Sequence, residues 1–329
     1  MRTLTTQKKW QPWKGILLQV GAFGMLLTAG SFLQRNLGYI GLILSELLFG
    51  VLAVTYTLAK KTPLKEVFPV RKLTVRDFFG TVFMWAGSLG FGFISIYLAS
   101  AVLTDTFFKV LSSINDALTF PHPLLSFLTV AVIAPICEEA IERGAVFSHF
   151  RSWKKEWAVM LIIGIFFGIM HTDPIRFLNT TIMGAAAAYL MIKKDNFLLP
   201  LMLHFTTNAL GSVVGAFRDA IVSEDAVSQL MENYDPLMSL GAGMMLFCAA
   251  PFGIAAGVHL LSPRRDPNAT REEQDKRFKK LERNYIIATV ITCLLFIGGL
   301  ILMITTPTFN KMQSDMMSKI ANGLIICLL

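Results

Sequence analysis

The stretch PLLSFLTVAVIAPICEEAIERGAVFSHF, residues 123–150, indicates most clearly what kind of fold this chain adopts. Its first fifteen residues carry no charge, and Glu138, Glu139, Glu142 and Arg143 then follow within six positions. An apolar run of this length is typical of a helix that crosses a lipid bilayer. Ionisable groups inside such a helix are energetically costly and mark functional sites by default. The stretch therefore predicts both a membrane fold and the place of a functional site.

Apolar runs of this kind recur along the whole chain of 329 residues, which is 54% hydrophobic and only 16% charged. A soluble domain usually carries about 25% charged residues. We therefore predict an all-α, polytopic integral membrane bundle with eight or nine transmembrane helices. The predicted spans are 15–33, 39–59, 78–103, 123–150, 157–172, 177–192, 197–216, 237–261 and 285–305.

Lysine and arginine are distributed unevenly over the connectors between these spans. With the N-terminus on the cytosolic side, 23 of the 30 basic residues fall in cytosolic segments and six in outer ones. Because basic residues concentrate in cytoplasmic loops, this bias predicts a cytoplasmic N-terminus. The net charge of +8 then reflects topology and contact with the lipid bilayer, not binding of nucleic acid. The compact loops favour a bacterial plasma membrane.

Helical spacing shows which charged residues of span 123–150 share a face of the helix and which do not. Glu139 and Arg143 lie four residues apart on one face and can pair, which lowers the cost of keeping both in the membrane. Glu138 is rotated by about 100° from Glu139 and so faces a different neighbour. Glu142, four residues after Glu138, either acts on it by like-charge repulsion or faces water near the inner surface, and we favour the second interpretation.

Two later spans carry polar residues at the same spacing. Phe167 and His171 share one helix face, and His204 and Asn208 share another. Counted from the cytosolic connectors at about 1.5 Å per residue, the two histidines, Asn208 and Glu138 lie within about 8 Å of one another in depth. Three helices can therefore contribute to one site.

These residue types suit hydrolysis. A carboxylate can act as general base on a water, and a histidine can orient that water or protonate the leaving amine. An asparagine amide can form an oxyanion hole together with a second histidine. Glu138, His171 and His204 also form a candidate zinc set, although the HExxH signature is absent. A zinc-dependent and a metal-independent mechanism both remain open.

The order of these motifs resembles a known family. The motifs are E-E-x-x-x-R at 138–143, F-x-x-x-H at 167–171 and H-x-x-x-N at 204–208. They resemble the CPBP family, also called Abi, which includes CAAX prenyl endopeptidases and bacteriocin-processing enzymes. The resemblance covers roughly residues 120–216 and implies an intramembrane endopeptidase, either a metalloprotease or a glutamate protease. Its substrate would be a peptide or protein, prenylated or of bacteriocin type.

The resemblance also implies a role for each site residue. The catalytic residues would be Glu138, His171, His204 and Asn208, with Glu138 activating the water, His171 assisting it and the other two stabilising the oxyanion. The supporting residues would be Glu139, Arg143 and Phe167. Glu142 departs from the family pattern, in which an aromatic residue often precedes the arginine.

We therefore divide the chain into three parts. N-terminal transmembrane helices occupy 1–119, a CAAX-protease-like catalytic core 120–216, and C-terminal transmembrane helices 217–329, with a basic cytosolic connector at 262–284. The tail 306–329 either spans the membrane or lies on it.

Two other functions stay open. One is a non-catalytic factor of the same family, serving in bacteriocin immunity or as a regulatory partner, and the other is a proton-coupled transporter, since buried Glu, His and Arg also form proton relays.

Overall fold

The computed structural model describes residues 10–119, 122–217, 232–263 and 270–316, and it contains no β-strand among them. The predicted all-α polytopic bundle is therefore confirmed. The end of the tail, residues 317–329, lies outside these residues. The helices are α1 Pro12–Met25, α2 Ser31–Ala59, α3 Leu64–Val67, α4 Val75–Val102, α5 Thr104–Thr119, α6 Pro123–Phe127, α7 Ala134–Glu139, α8 Glu156–Met170, α9 Pro174–Lys194, α10 Leu198–Ala216, α11 Pro236–Leu246, α12 Ala250–Leu261 and α13 Arg271–Ile304.

Within the described residues, seven helical tracts are long and apolar enough to cross a membrane, compared with the eight or nine predicted spans. Two predicted spans, 15–33 and 39–59, fall within one tract, Pro12–Ala59. The predicted span 157–172 corresponds to α8, which has only 15 residues. A helix of that length rises about 22 Å, which is short of the roughly 30 Å of a bilayer core.

The tract Pro12–Ala59 turns back on itself at Gly38. This glycine has φ 55° and ψ −126°, a backbone conformation that residues with a side chain rarely adopt. Across the turn, the amide of Gln34 donates a hydrogen bond of 2.9 Å to the hydroxyl of Ser45. As one straight helix, 48 residues would measure about 72 Å, more than twice the thickness of a bilayer core. The tract therefore contributes two legs to the bundle.

Three connectors meet at one end of the bundle around Asp195. Its carboxylate pairs with Arg71 of one connector and, at 2.6 Å, with Arg151 of another. The side chain of Asn196 exchanges two hydrogen bonds of 3.1 Å with the backbone of Arg71. All three connectors carry the basic residues that were assigned to one side of the membrane, and the structure places them at the same end.

His149 anchors the N-terminal segment at this end of the bundle. It follows Val146, the last residue of the membrane-spanning tract Pro123–Val146. It is fully buried, and its Nδ1 accepts a hydrogen bond of 3.0 Å from the backbone N–H of Gln11. Its Nε2–H is therefore left to donate to the hydroxyl of Tyr56, also at 3.0 Å. The ring of Trp10 packs against it at 4.7 Å between centroids. Burial lowers the pKa of His149 to about 4, and the charge of Lys60 lowers it further in the same direction.

Acid is therefore expected to weaken the anchoring by His149. Because its folded-state pKa of about 4 lies below the ordinary 6.5, the unfolded chain binds the proton more readily. Its contribution to stability is present above about pH 6.5 and is lost as the pH falls through about 4. Thermal unfolding in detergent should show this fall in the wild type and a shallower one in His149→Gln. Identical pH profiles for the two proteins would contradict the assignment.

Helices α8 and α9 approach closely because both carry glycine at their contact. A Cβ on Gly184 would lie 2.9 Å from the Cβ of Phe167 and 3.0 Å from the Cα of Gly164. A Cβ on Gly164 would lie 2.6 Å from the carbonyl oxygen of Thr181. Small residues at helix contacts allow this approach in membranes. The contact also brings α9 within reach of the charged residues of the 123–150 segment.

Candidate active site

The tract Pro123–Val146, which carries Glu138, is not a regular α-helix. Two of its segments, Leu128–Ile133 and Ala140–Val146, are wound as π-helix with hydrogen bonds from residue i to i+5. π-Helical turns of this kind are rare and occur frequently at functional sites. We refer to Pro123–Val146 as the catalytic tract.

In the first π-helical segment, one backbone carbonyl has no backbone N–H partner and accepts a hydrogen bond from a side chain. Within it, the N–H of Ala134 bonds to the carbonyl oxygen of Thr129, five residues earlier. The next carbonyl in this pattern, that of Val130, would need an N–H on Pro135, which proline lacks. The side-chain amide of Asn208 donates to the Val130 oxygen instead, at 2.8 Å. This bond joins α10 to the catalytic tract.

Glu139 lies at the centre of the site and is wholly buried. Its Oε1 accepts a hydrogen bond of 2.9 Å from Nδ1–H of His204 and lies 3.1 Å from Nη1 of Arg143. Arg143 also donates to the carbonyl oxygen of Gly184 at 3.3 Å and stacks over the ring of Phe167 at 4.4 Å. These contacts compensate two buried charges and tie the catalytic tract to three other helices. Glu139 and Arg143 therefore hold the site together.

His171 follows the last residue of α8 and is partly exposed. Its Nδ1 lies 2.9 Å from the carbonyl oxygen of Phe167, and because a carbonyl only accepts, Nδ1 carries the hydrogen. Nε2 of His171 is thus left with a lone pair that can accept a hydrogen bond from water. The ring of Phe167 lies next to both imidazoles, at 4.8 Å from His171 and 5.3 Å from His204 between centroids.

His204 and Asn208 do not form a ready oxyanion hole. Nδ1 of His204 carries the hydrogen that Glu139 accepts, so Nε2 is an acceptor, and it faces the Asn208 amide nitrogen at 3.3 Å. The same nitrogen bonds to Val130, so both N–H groups of Asn208 are engaged. Asn208 must release one of these partners, or His204 must gain a proton, before either can donate to an oxyanion.

Glu138 differs from the other two carboxylates of the catalytic tract in being partly exposed, whereas Glu139 and Glu142 are buried. Within the described residues Glu138 forms no hydrogen bond and no ion pair shorter than 4 Å. An accessible carboxylate that no protein donor occupies is what a base acting on water requires.

Glu142 does not face water, so the favoured interpretation of this residue is wrong. Its exposed fraction is 1%, and it accepts a hydrogen bond of 2.8 Å from the amide of Gln19 on α1. Glu142 is buried because α1 packs against this part of the catalytic tract and supplies the polar partner. Such a contact between separate helices does not follow from helical spacing. Glu142 is a contact between helices and lies apart from Glu138 in function.

Sequence reasoning missed Glu46 of α2. Its carboxylate lies close enough to that of Glu138 for the two charges to repel. Glu46 is the only charged residue in the run 36–59, so the sequence did contain a signal. No motif connects it with the other site residues, however, and helical spacing cannot relate residues on separate helices.

The three residues of the candidate zinc set are not arranged as a metal-binding group. The described residues hold no group of three or more His, Cys, Asp and Glu side chains that could bind one metal ion. The ring of Phe167 packs against both His171 and His204, and Nε2 of His204 faces the Asn208 amide. Glu138, His171 and His204, as arranged, do not fit a zinc ion.

Comparison with known proteins agrees with this geometry. Residues 120–210, which contain all seven predicted site residues, match the model of a family described as type II CAAX prenyl endopeptidase Rce1-like. The chain is therefore similar to this family over residues 120–210. The chain is also 24% identical over 135 residues to an uncharacterized 24.3 kDa protein of Escherichia coli, covering 39% of this chain and 62% of that protein. No solved structure matches the chain significantly. The matched segment contains the catalytic tract, α8, α9 and α10 up to residue 210, while α1 and α2 pack on it from outside.

Proposed function

We propose that this protein is an intramembrane endopeptidase of the CAAX type, which hydrolyses a peptide bond with a water activated by Glu138. The observation that carries the proposal is the contrast within the catalytic tract: Glu139 and Arg143 are buried and paired, while Glu138 is accessible and unengaged. The match of residues 120–210 to CAAX prenyl endopeptidases supports it.

In this mechanism Glu138 takes a proton from the water as the water oxygen attacks the scissile carbonyl carbon. Nε2 of His171 accepts the hydrogen bond that orients the water. Asn208 leaves the carbonyl of Val130 and donates the freed N–H to the oxyanion, while Nε2 of His204 accepts its other N–H and holds the amide in place. The proton held by Glu138 then passes to the leaving amine, and the products are a new carboxylate and a free amine.

An apolar groove of about 340 Å³ lies between the catalytic tract and α10. Its lining consists of Leu73, Ala131, Val132, Ile136, Leu198, Leu201, Met202 and Phe205. Two of these side chains, Ile136 and Phe205, are near sequence neighbours of Glu138 and His204. The groove reaches Leu73, beside the end where the basic connectors meet. It therefore suits an apolar chain on the substrate, which favours a prenylated peptide over an unmodified bacteriocin-type peptide.

Purified protein in lipid nanodiscs allows this substrate preference to be measured. We expect cleavage of a peptide that ends in a prenylated CAAX sequence, and at least tenfold lower kcat/KM for the same peptide without the prenyl group. A bacteriocin-type precursor serves as the third substrate. Equal cleavage with and without the prenyl group would contradict the assignment of the groove.

We further propose that the end of the bundle around Asp195 faces the cytosol of a bacterial cell, because the basic connectors gather there.

A non-catalytic role in the same family is the alternative function. It is favoured by the amide of Asn208, whose two N–H groups already bond to Val130 and His204. If Glu138→Ala or His204→Ala left the cellular phenotype of the protein intact, the non-catalytic role would be preferred.

A further inference from the structure

α2 carries a single carboxylate into apolar surroundings. Glu46 is the only charged residue of the run 36–59, and its Oε2 is buried without a hydrogen-bond partner among the described residues. No ion pair of Glu46 is present in the same part of the chain. An unpaired carboxylate in a membrane helix is destabilising, and such groups mark function by default.

The packing of α2 places Glu46 beside the candidate base. Gly50, one helical turn after Glu46, is so near the catalytic tract that a Cβ there would lie 3.0 Å from Sγ of Cys137. Phe49 packs in the same apolar core as Cys137, the residue before Glu138. The carboxylates of Glu46 and Glu138 are consequently close enough to repel each other.

The surroundings of this carboxylate pair differ from those of Glu139. Arg143 and His204 supply donors to Glu139, whereas no described side chain donates to Glu46 or Glu138. A donor that offers a hydrogen to each of two neighbouring carboxylates reduces the repulsion between them, and water is the smallest molecule that does so.

We propose that Glu46 is a further catalytic residue, which binds the attacking water together with Glu138. The water donates one hydrogen to Glu138, and Glu46 and Nε2 of His171 share the other as acceptors. Glu138 removes its hydrogen as a proton during the attack, while the shared hydrogen bond directs the water's lone pair at the scissile carbonyl. This role rests on the proposed endopeptidase function, and it adds to the site a helix that lies outside the segment matching the family.

A catalytic role and a structural role for Glu46 predict opposite effects on stability. If Glu46 serves the reaction, its removal relieves repulsion and the burial of an unpaired charge, so the fold becomes no less stable. If Glu46 instead holds helices together, its removal lowers the melting temperature along with activity.

The test measures kcat, KM and melting temperature of Glu46→Gln and Glu46→Leu in nanodiscs, on the peptide that the wild type cleaves. We expect kcat to fall by about tenfold to a hundredfold, since misplacing a reactant by 1 Å can have an effect of that size. KM should stay within about twofold, and the melting temperature should be unchanged or higher. Glu142→Gln is the control, because it replaces a buried carboxylate of the same bundle whose partner is Gln19, and it should keep kcat within about twofold.

Wild-type kcat in both Glu46 variants would overturn the proposal, and so would a loss of kcat accompanied by a lower melting temperature. Failure of the endopeptidase function itself gives a different result. In that case the wild type and Glu138→Gln cleave equally, or neither cleaves. That result contradicts the endopeptidase function and, with it, the role proposed for Glu46.

Discussion

Glu138→Gln is expected to lower kcat by about 10²- to 10⁴-fold, the usual contribution of a general base. Glutamine has the shape of glutamate but cannot take a proton from water. Because Glu138 is partly exposed and forms no ion pair within the described chain, its replacement removes chemistry and leaves packing unchanged. The melting temperature in detergent should therefore stay at the wild-type value while the cleavage rate falls.

The control for Glu138→Gln is the same exchange one turn further along the catalytic tract. Glu142 is buried and bonded to Gln19, so Glu142→Gln perturbs the helix without touching the proposed water. If Glu138→Gln retained more than about a tenth of wild-type kcat, or if both variants lost activity equally, Glu138 would not be the base.

Arg143→Met is expected to destabilise the protein by about 3–5 kcal/mol, the range for removing one partner of a buried ion pair. Arg143 is only 1% exposed, and its loss leaves the buried carboxylate of Glu139 with His204 as its remaining partner. The contacts with Gly184 and Phe167 are lost as well. Equilibrium unfolding of the purified protein in detergent measures the change.

A double variant separates the pair from the surrounding packing. Glu139→Gln combined with Arg143→Met removes both charges, so it should recover part of the stability that Arg143→Met loses. Lys276→Met is the exposed control, since Lys276 pairs with Glu272 at the surface and should contribute at most about 1 kcal/mol. Strictly additive losses in the double variant would show that the two buried charges do not stabilise each other.

Helical spacing was sufficient to group the residues that the structure brings together. Glu139 and Arg143 lie four apart and pair, and His204 and Asn208 lie four apart and contact each other. Such pairs can be inferred from sequence because one helix determines the distance between them. The convergence of three helices could be inferred only roughly, from the depth of each residue and from the resemblance to a family.

Features that depend on contacts between helices could not be inferred in this way. The burial of Glu142 requires Gln19, which lies 123 positions away on α1. The place of Glu46 depends on the close approach at Gly50. The hydrogen bond between Asn208 and Val130 depends on a π-helical segment. A prediction that assumes the regular 3.6 residues per turn of an α-helix does not include such a segment. The number of helical tracts is lower than the number of predicted spans because the spans 15–33 and 39–59, which meet at the reversal at Gly38, form one tract.

The most direct test of a water activated by Glu138 follows one peptide through the reaction. Wild-type protein and Glu138→Gln are placed in nanodiscs with a prenylated CAAX peptide in ¹⁸O-labelled water, and the products are examined by mass spectrometry. The wild type should yield a peptide with a new C-terminal carboxylate that carries one ¹⁸O, and Glu138→Gln should yield almost none. Product formation at the wild-type rate by Glu138→Gln, or no product from either protein, would contradict the account.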